Sequence, residues 1–461
     1  MPHRTLHPEI LSEATPAQLE HAAALNHTAL FGMDAAALGG SLLQKDGLSW
    51  TYTGAGGESI IPFPALSAEK AGAQLDELIE QYLQHPPKGA GCWSLDPTQP
   101  GDLGVRLLAR GFQPGWRPCW MALDLETMHP AYPNPKELRV VADNLTSLFK
   151  IEGLPYARAI IPPRPSPGQT GFADSSFGAS SPHAIIPPAS SPGQPGSSGG
   201  SDPSAGIQRY IAFLDKKVVG HCGVLLTTGT YGVAGIYHVG VVPGARKKGI
   251  GKALVMAACL YAKERGYRYA VLNATGRRMY EQIGFTWIGD GWTWWLKMDR
   301  LLAQPPGKGQ VLLAEAIGKG DWQALQNPTP PWGEDDLRRP LTNGMTLMQL
   351  AVHCHQPVSG EWLLEQGCSF QVLDAWDLGW KERAARLLGE SPDQANQLYG
   401  EWDKTLLHIA AERNDVELAK LVLLARPDLK VRDKVYQSTP RDWALHFGHE
   451  EIARLIRSGG K

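Results

Sequence analysis

The stretch from Gly235 to Phe285 constrains this 461-residue chain more than any other. It opens on an apolar, β-branched run, Ile236 to Val242, which reads as a buried strand. Pro243-Gly244 ends that strand, and Arg246-Lys247-Lys248-Gly249-Ile250-Gly251 leads into a helix with apolar residues at Leu254, Val255, Ala258, Leu260 and Tyr261. A glycine-rich turn feeding a helix N-terminus makes an anion site, because free backbone N–H groups converge there with the positive end of the helix dipole. Glycines at 249 and 251 allow close backbone approach, and the neighbouring Arg and Lys favour phosphate. The expected ligand is a phosphate or pyrophosphate. A second buried strand, Tyr269 to Leu272, then leads to Asn273, a short helix, and Tyr280 four residues before Gly284-Phe285.

This order of strand, Arg-x-x-Gly-x-Gly, helix, strand, Asn and Tyr-x-x-x-Gly-Phe resembles the GNAT superfamily of acyl-CoA-dependent N-acyltransferases, with the match running from about Gln208 to Trp295. The resemblance implies an α/β (α+β) fold, a mixed sheet with flanking helices, and acetyl-CoA as co-substrate. It gives the turn Arg246, Lys247, Lys248, Gly249, Ile250, Gly251 and Lys252 to the pyrophosphate. It gives backbone groups of Val241 and Val242, where the fourth strand parts from the fifth, to the pantetheine arm and thioester oxygen. Asn273 matches a residue that contacts the cofactor arm, and Tyr280 matches the acid that protonates the leaving thiolate. His238, on the strand ending at Val242 and on the same face by period-two alternation, and His221, on the preceding strand, are the candidate bases.

Net charge is −2, but it is unevenly spread. Residues 1–135 carry 7 Lys/Arg against 14 Asp/Glu, residues 136–300 carry 19 against 10, and residues 301–461 carry 18 against 22. Outside Arg246–Lys248 the positive excess is dispersed, which suits a polyanionic small molecule better than nucleic acid. No apolar run is long enough to span a membrane, and the opening MPHRTLHPEILSEATP lacks a signal-peptide core. The six cysteines are scattered without a C-x-x-C pair, so they are read as reduced thiols of a cytoplasmic protein. His353-Cys354-His355 is given no metal, because alternate residues diverge on a helix.

Residues 1–130 form the first expected domain. Its helical patterns lie at Pro16 to Leu30 and Ala68 to Leu83, followed by a strand (Cys92 to Leu95), a helix (Asp102 to Ala109), Gly111-Phe112 and a strand (Cys119 to Leu125). That order repeats the tail of the core stretch, with Leu107 where the other copy has Tyr280 and with no Arg-x-x-Gly-x-Gly turn. It resembles a degenerate GNAT unit that completes the substrate groove. Residues 136–300 form the catalytic domain, beginning with an expected helix from Val141 to Glu152. A Pro/Gly/Ser-rich insertion at about 159–205 carries the duplication AIIPPRPSPGQTG and AIIPPASSPGQPG, a composition expected to form a flexible loop. Strands at Arg209–Leu214 and Val218–Leu226, joined at Asp215-Lys216-Lys217, precede the core stretch, and Trp292 to Met298 closes the domain.

Residues 305–461 are expected to be a purely helical solenoid. TLLHIA at Thr405 recurs as TPRDWA at Thr439, a period of 34, and TLMQLA precedes both at Thr346. These segments resemble ankyrin repeats, in four to five units counting Ala314 to Leu325 and Trp376 to Asn396. Leu406 stands where the repeat has proline, and Arg441-Asp442 replaces its Leu-His pair.

Two functions follow. The first is an acetyl-CoA-dependent N-acetyltransferase acting on a primary amine of a small or peptidic acceptor. The acidic flanks point to a cationic one, and analogy extends this to detoxification of an amine-bearing antibiotic. The second is a non-catalytic CoA sensor or scaffold whose ankyrin repeats bind a protein partner. Retention of Tyr280 favours the enzyme.

Overall fold

The computed structural model describes residues 10–128, 135–143, 153–155, 183–184, 207–274, 277–328, 331–400 and 402–459. They divide into two compact units, residues 1–305 and 306–461.

In the first unit, period-two alternation produces strands as expected. The elements run α1 (Pro16–Ala37), β1 (Ser41–Lys45), β2 (Leu48–Tyr52), β3 (Glu58–Pro62), α2 (Ala68–Gln84), β4 (Gly89–Asp96), α3 (Leu103–Ala109), β5 (Gln113–Pro114) and β6 (Cys119–Asp124). They continue with β7 (Arg139–Asp143), β8 (His183–Ala184), β9 (Ile207–Leu214), β10 (Lys217–Leu226), β11 (Ala234–Val241), α4 (Ile250–Glu264), β12 (Tyr269–Ala274), α5 (Arg278–Glu281), β13 (Thr286–Leu296) and α6 (Met298–Ala303). The expected helix from Val141 is corrected. Val141 to Asp143 belong to β7, which pairs antiparallel with β9, because Arg139-Val140-Val141-Ala142 is β-branched and alternating. Its remainder, 144–152, lies outside the described residues, as does the 159–205 tract except for 183–184.

One ten-stranded sheet dominates, in the order β3-β4-β13-β6-β12-β11-β10-β9-β7, with β5 against β13. Its centre is interleaved. β13, from the second expected domain, lies between β4 and β6 of the first, and β6 lies between β13 and β12. Residues 1–130 and 136–300 therefore exchange their last strands and share one sheet. A smaller sheet, β2-β1-β8, stands beside it.

The turns after α3 and α5 are built alike. Phe112 N donates to Leu107 O at 3.1 Å, and Phe285 N donates to Tyr280 O at 3.1 Å. Gly111 and Gly284 adopt φ of +91° and +115°, and both phenylalanines are buried.

Helix α1 covers one face of the sheet. Leu19, Ala22 and Ala23 pack with Trp93, Trp120, Val271 and Ile288, so α1 bridges strands from both halves. Helix α4 covers the opposite face through Leu254, Val255, Ala258 and Cys259. Helices α2 and α3 cover that of β3 and β4. No described helix is long and apolar enough to cross a membrane.

The second unit stacks helices in pairs: α7 (Lys308–Lys319) with α8 (Trp322–Gln326), α10 (Leu347–His353) with α11 (Pro357–Glu365), and α12 (Val372–Asp377) with α13 (Lys381–Glu390). The pairs α14 (Leu406–Arg413) with α15 (Val416–Leu424) and α16 (Pro440–His446) with α17 (Glu450–Gly459) follow, and the short α9 (Glu334–Arg338) lies between the first two pairs. Thr346, Thr405 and Thr439 each cap a first helix in a capping box closed by Gln349, His408 and Asp442.

Candidate active site

After β11, a 3-10 turn (Pro243–Ala245) leads to Arg246–Lys248, and Gly249 forms the N-cap of α4. Two positions fix this turn: Lys247 has φ +63° and Gly249 has φ +80°. A side chain at Gly249 meets open space, so its glycine is required by backbone conformation alone. At Gly251 a Cβ would stand 3.0 Å from Met279 Sδ, a close contact to which the methionine would have to yield. Ile250 is buried and anchors the first turn of α4, while Lys247 and Lys248 are exposed. Four unpaired N–H groups belong to any helix start, and here they lie beside Lys247 and Lys248. This arrangement fits a pyrophosphate. Met279 also ties α5, and with it Tyr280, to the start of α4.

The sheet opens at this end. β11 and β12 run parallel, but only Ala234↔Ala270 and Gly235↔Val271 pair. The cause lies in β11 itself. Its register against β10 shifts between His221 and Gly223, and His238 has φ +52°, the signature of a bulge. The bulge bends β11 away from β12, and it breaks the alternation from which His238 was expected to share a face with Val242. The expected backbone pair is also divided. Val242 N donates to Val219 O at 2.9 Å, so its groups face β10. Those of Val241 face the gap, where its carbonyl accepts from Arg246 Nε at 3.2 Å.

Tyr280 is half-buried, its ring edge-on to Phe285 at 6.0 Å, and packs against the α4 core. His238 is half-buried, and burial, with the nearby His221 and Arg209, lowers its pKa to about 4. It is therefore neutral at pH 7. His221 is fully buried with Nε2 on the Pro155 carbonyl, and its pKa is lowered chiefly by burial. Asn273 Nδ2 donates to His27 Nδ1 at 3.3 Å, which engages the amide that the family pattern assigns to the cofactor arm.

Several polar residues here have no counterpart in the motif. His27 of α1 is ringed by Phe31, Trp93, Trp120 and Tyr237 at 4.4 to 5.6 Å. Tyr237 donates from its hydroxyl to Asn26 Oδ1 at 2.6 Å, and Asn26 Nδ2 reaches the carbonyls of Leu225 and Val233. Asp34, two turns beyond His27, is raised to about 7 by burial. Their signal was a polar Asn-His pair, with Asp34 at the same helical face, inside the apolar run AALNHTALFGMDAAA.

A helix-start anion turn thus stands beside a parted pair of parallel strands. Residues 196–285 match the family model described as Acetyltransferase (GNAT) family, and residues 402–434 match that of the Ankyrin repeat. The chain thus carries a GNAT acetyltransferase domain joined to a helical region with an ankyrin repeat. Protein PhlB of Serratia liquefaciens is 30% identical over 145 residues, 32% of this chain and 51% of PhlB, so the alignment spans about half of that relative. Similar solved structures include a GCN5-related N-acetyltransferase from Kribbella flavida, at 15% identity over 59% of this chain and 95% of that one (TM-score 0.40). Another, from Sphaerobacter thermophilus, is 17% identical over 64% of this chain and 97% of that one (TM-score 0.36).

Proposed function

We propose that this chain is an acetyl-CoA-dependent N-acetyltransferase acting on a primary amine of a small or peptidic acceptor that is cationic through its ammonium group. The observation that carries this reading is the convergence of the α4 anion turn, the gap beside Val241, and Tyr280, linked through Met279 against Gly251. Acetyl-CoA, when bound, supplies the activated acetyl group. The amides of the first turn of α4 hold its pyrophosphate, with Lys247, Lys248 and Lys252 adding charge, and Val241 presents backbone groups to the arm. His238, neutral at pH 7, takes the proton of the acceptor ammonium through water. The amine nitrogen bonds to the acyl carbon as the carbon–sulfur bond breaks; Tyr280 gives its proton to the departing sulfur, and the surplus proton on the new amide nitrogen passes through water to restore the Tyr280 hydroxyl. Residues 1–130 serve as a degenerate second copy that completes the groove. The similar Leu107 and Tyr280 turns support this, with Leu107 unable to donate a proton. The ankyrin repeats bind a protein partner, and an amine-bearing antibiotic is one acceptor within this reading.

Thiol release on mixing acetyl-CoA with a panel of amines tests the proposal. Release dependent on both acceptor and Tyr280 is expected. Tight CoA binding without release from any amine would instead favour the sensor or scaffold.

A further inference from the structure

Arg209 is 2% exposed, yet Nε, Nη1 and Nη2 have no hydrogen-bond partner among the described residues. A buried guanidinium normally fills most of its donor capacity, so five idle N–H donors are costly unless something else accepts them. Its position is informative. On β9, Arg209 stands opposite Asp143 of β7 on one side and Gly223 of β10 on the other, and Gly223 stands opposite Tyr237 of β11. Register partners share a face, so Arg209 and Tyr237 flank a glycine that offers only backbone, across two strand spacings of about 10 Å. This is the face that α1 covers through Asn26 and Tyr237. His221, the next residue on that face of β10, is fully buried, and its Nδ1 also lacks a partner among the described residues. His238, the proton acceptor of the proposed reaction, follows Tyr237 at the bulge. Arg209 lies close enough to both imidazoles for its charge to disfavour their protonation. Asp143 favours the charged guanidinium but leaves the three nitrogens without a hydrogen bond.

Resting on the reading of this chain as an N-acetyltransferase, we infer that Arg209 binds the carboxylate of an amino-acid-type acceptor whose amine lies at His238. A carboxylate accepts two parallel N–H bonds from the planar guanidinium, which matches the idle donors in number and geometry. Gly223 places no side chain between Arg209 and Tyr237 on that face. The acceptor is then zwitterionic, where the acidic flanks alone pointed to a cationic one.

The test uses the full chain with acetyl-CoA and matched acceptors: free amino acids, their carboxamides, and the corresponding decarboxylated amines. Amino acids should exceed both partners in kcat/KM by about a hundredfold or more, since a site built to bond a group rejects analogues lacking it. Arg209→Met should reduce that preference to below about threefold, chiefly through KM, while acetyl-CoA affinity stays unchanged. Arg209→Lys, which keeps the charge but not the fork, should recover part of it and guards against misfolding in the first variant. Equal use of all three acceptor types, or a preference that survives Arg209→Met, overturns the carboxylate site alone. If acetyl-CoA binds but no amine releases thiol, thermal stabilisation of the CoA complex by amino acids becomes the readout, and its absence also overturns the site. Absence of acetyl-CoA binding overturns the transferase reading beneath it.

Discussion

Asn273 and His27, 246 residues apart, meet where α1 crosses β12: Asn273 Nδ2 donates to His27 Nδ1 at 3.3 Å. The amide nitrogen can only donate, so His27 Nδ1 carries no proton and the ring is the Nε2–H tautomer. This fits its surroundings, since burial, and secondarily the nearby His238, lowers the His27 pKa to about 3. The bond fastens the N-terminal helix to β12, the strand that borders the gap.

A pH dependence follows. Between its ordinary pKa of 6.5 and about 3, His27 takes up a proton in the unfolded chain but not in the folded one. Its contribution is fully present above pH 6.5 and is lost progressively as pH falls. Glu20 and Asp34, both raised to about 7, act with the opposite sign, because unfolding releases their protons as pH rises through that range. Comparing variants isolates His27. His27→Phe, which suits the aromatic ring of neighbours, should lose about 3 kcal/mol less stability than wild type between pH 6.5 and 4.0. Denaturant titrations at pH 7.0, 5.5 and 4.0 measure it, and parallel slopes would show that His27 protonates without unfolding.

The turn before α4 gives a second outcome. Gly249→Val forces a β-branched residue to φ +80°, where cost is of order 1–3 kcal/mol, so acetyl-CoA affinity should fall about 10- to 100-fold. Gly251→Val should act through Met279 instead, and adding Met279→Ala should restore part of the loss. Calorimetric titration with acetyl-CoA decides, and wild-type affinity in all three variants would remove the turn from the binding site.

Tyr280→Phe keeps the ring against Phe285 and removes only the hydroxyl. Turnover should drop roughly a hundred- to ten-thousand-fold with acetyl-CoA affinity nearly intact, the pattern of a lost general acid. Single-turnover kinetics with thiol detection separates this from slow product release. An unchanged rate makes Tyr280 a packing residue.

What the sequence disclosed follows from where the information lies. The strand–turn–helix run from Gly235 to Phe285 is local, and each glycine and apolar position in it reports on its own neighbours, so the turn at Gly249 and the helix behind it were legible. The capping threonines of the repeats were legible for the same reason. The exchange of β6 and β13 was hidden, because the order of strands in a sheet depends on contacts between residues far apart in the chain. The bulge at His238 was hidden too. A single residue in the left-handed region shifts every later side chain to the other face, and His is not a residue type that announces it. Arg209 read as an ordinary charged residue at a strand start. Only its burial beneath neighbours distant in sequence distinguishes it.

The last outcome concerns the final helix pair and the turn that leads into it. Asp433 is fully buried and accepts from the backbone N–H groups of Val435, Tyr436 and Ser438 and from Trp443 Nε1. These bonds hold its pKa at about 2 despite burial, so the stability it contributes is present above its ordinary value of 3.8 and is lost as pH falls towards 2. The same carboxylate organises the turn that delivers Thr439 to the start of α16, and His408 Nε2 meets the Ser438 carbonyl from the preceding repeat. Asp433→Ala leaves several buried donors unpaired at once, and should destabilise residues 306–461 by about 3 kcal/mol or more. Trp402 and Trp443, whose ring centroids lie 6.1 Å apart, report unfolding of this pair by fluorescence. The Asp433→Ala transition should shift to lower denaturant while acetyl-CoA affinity stays at the wild-type value. A loss of acetyl-CoA binding in parallel would show that the repeats and the acetyltransferase unit unfold together.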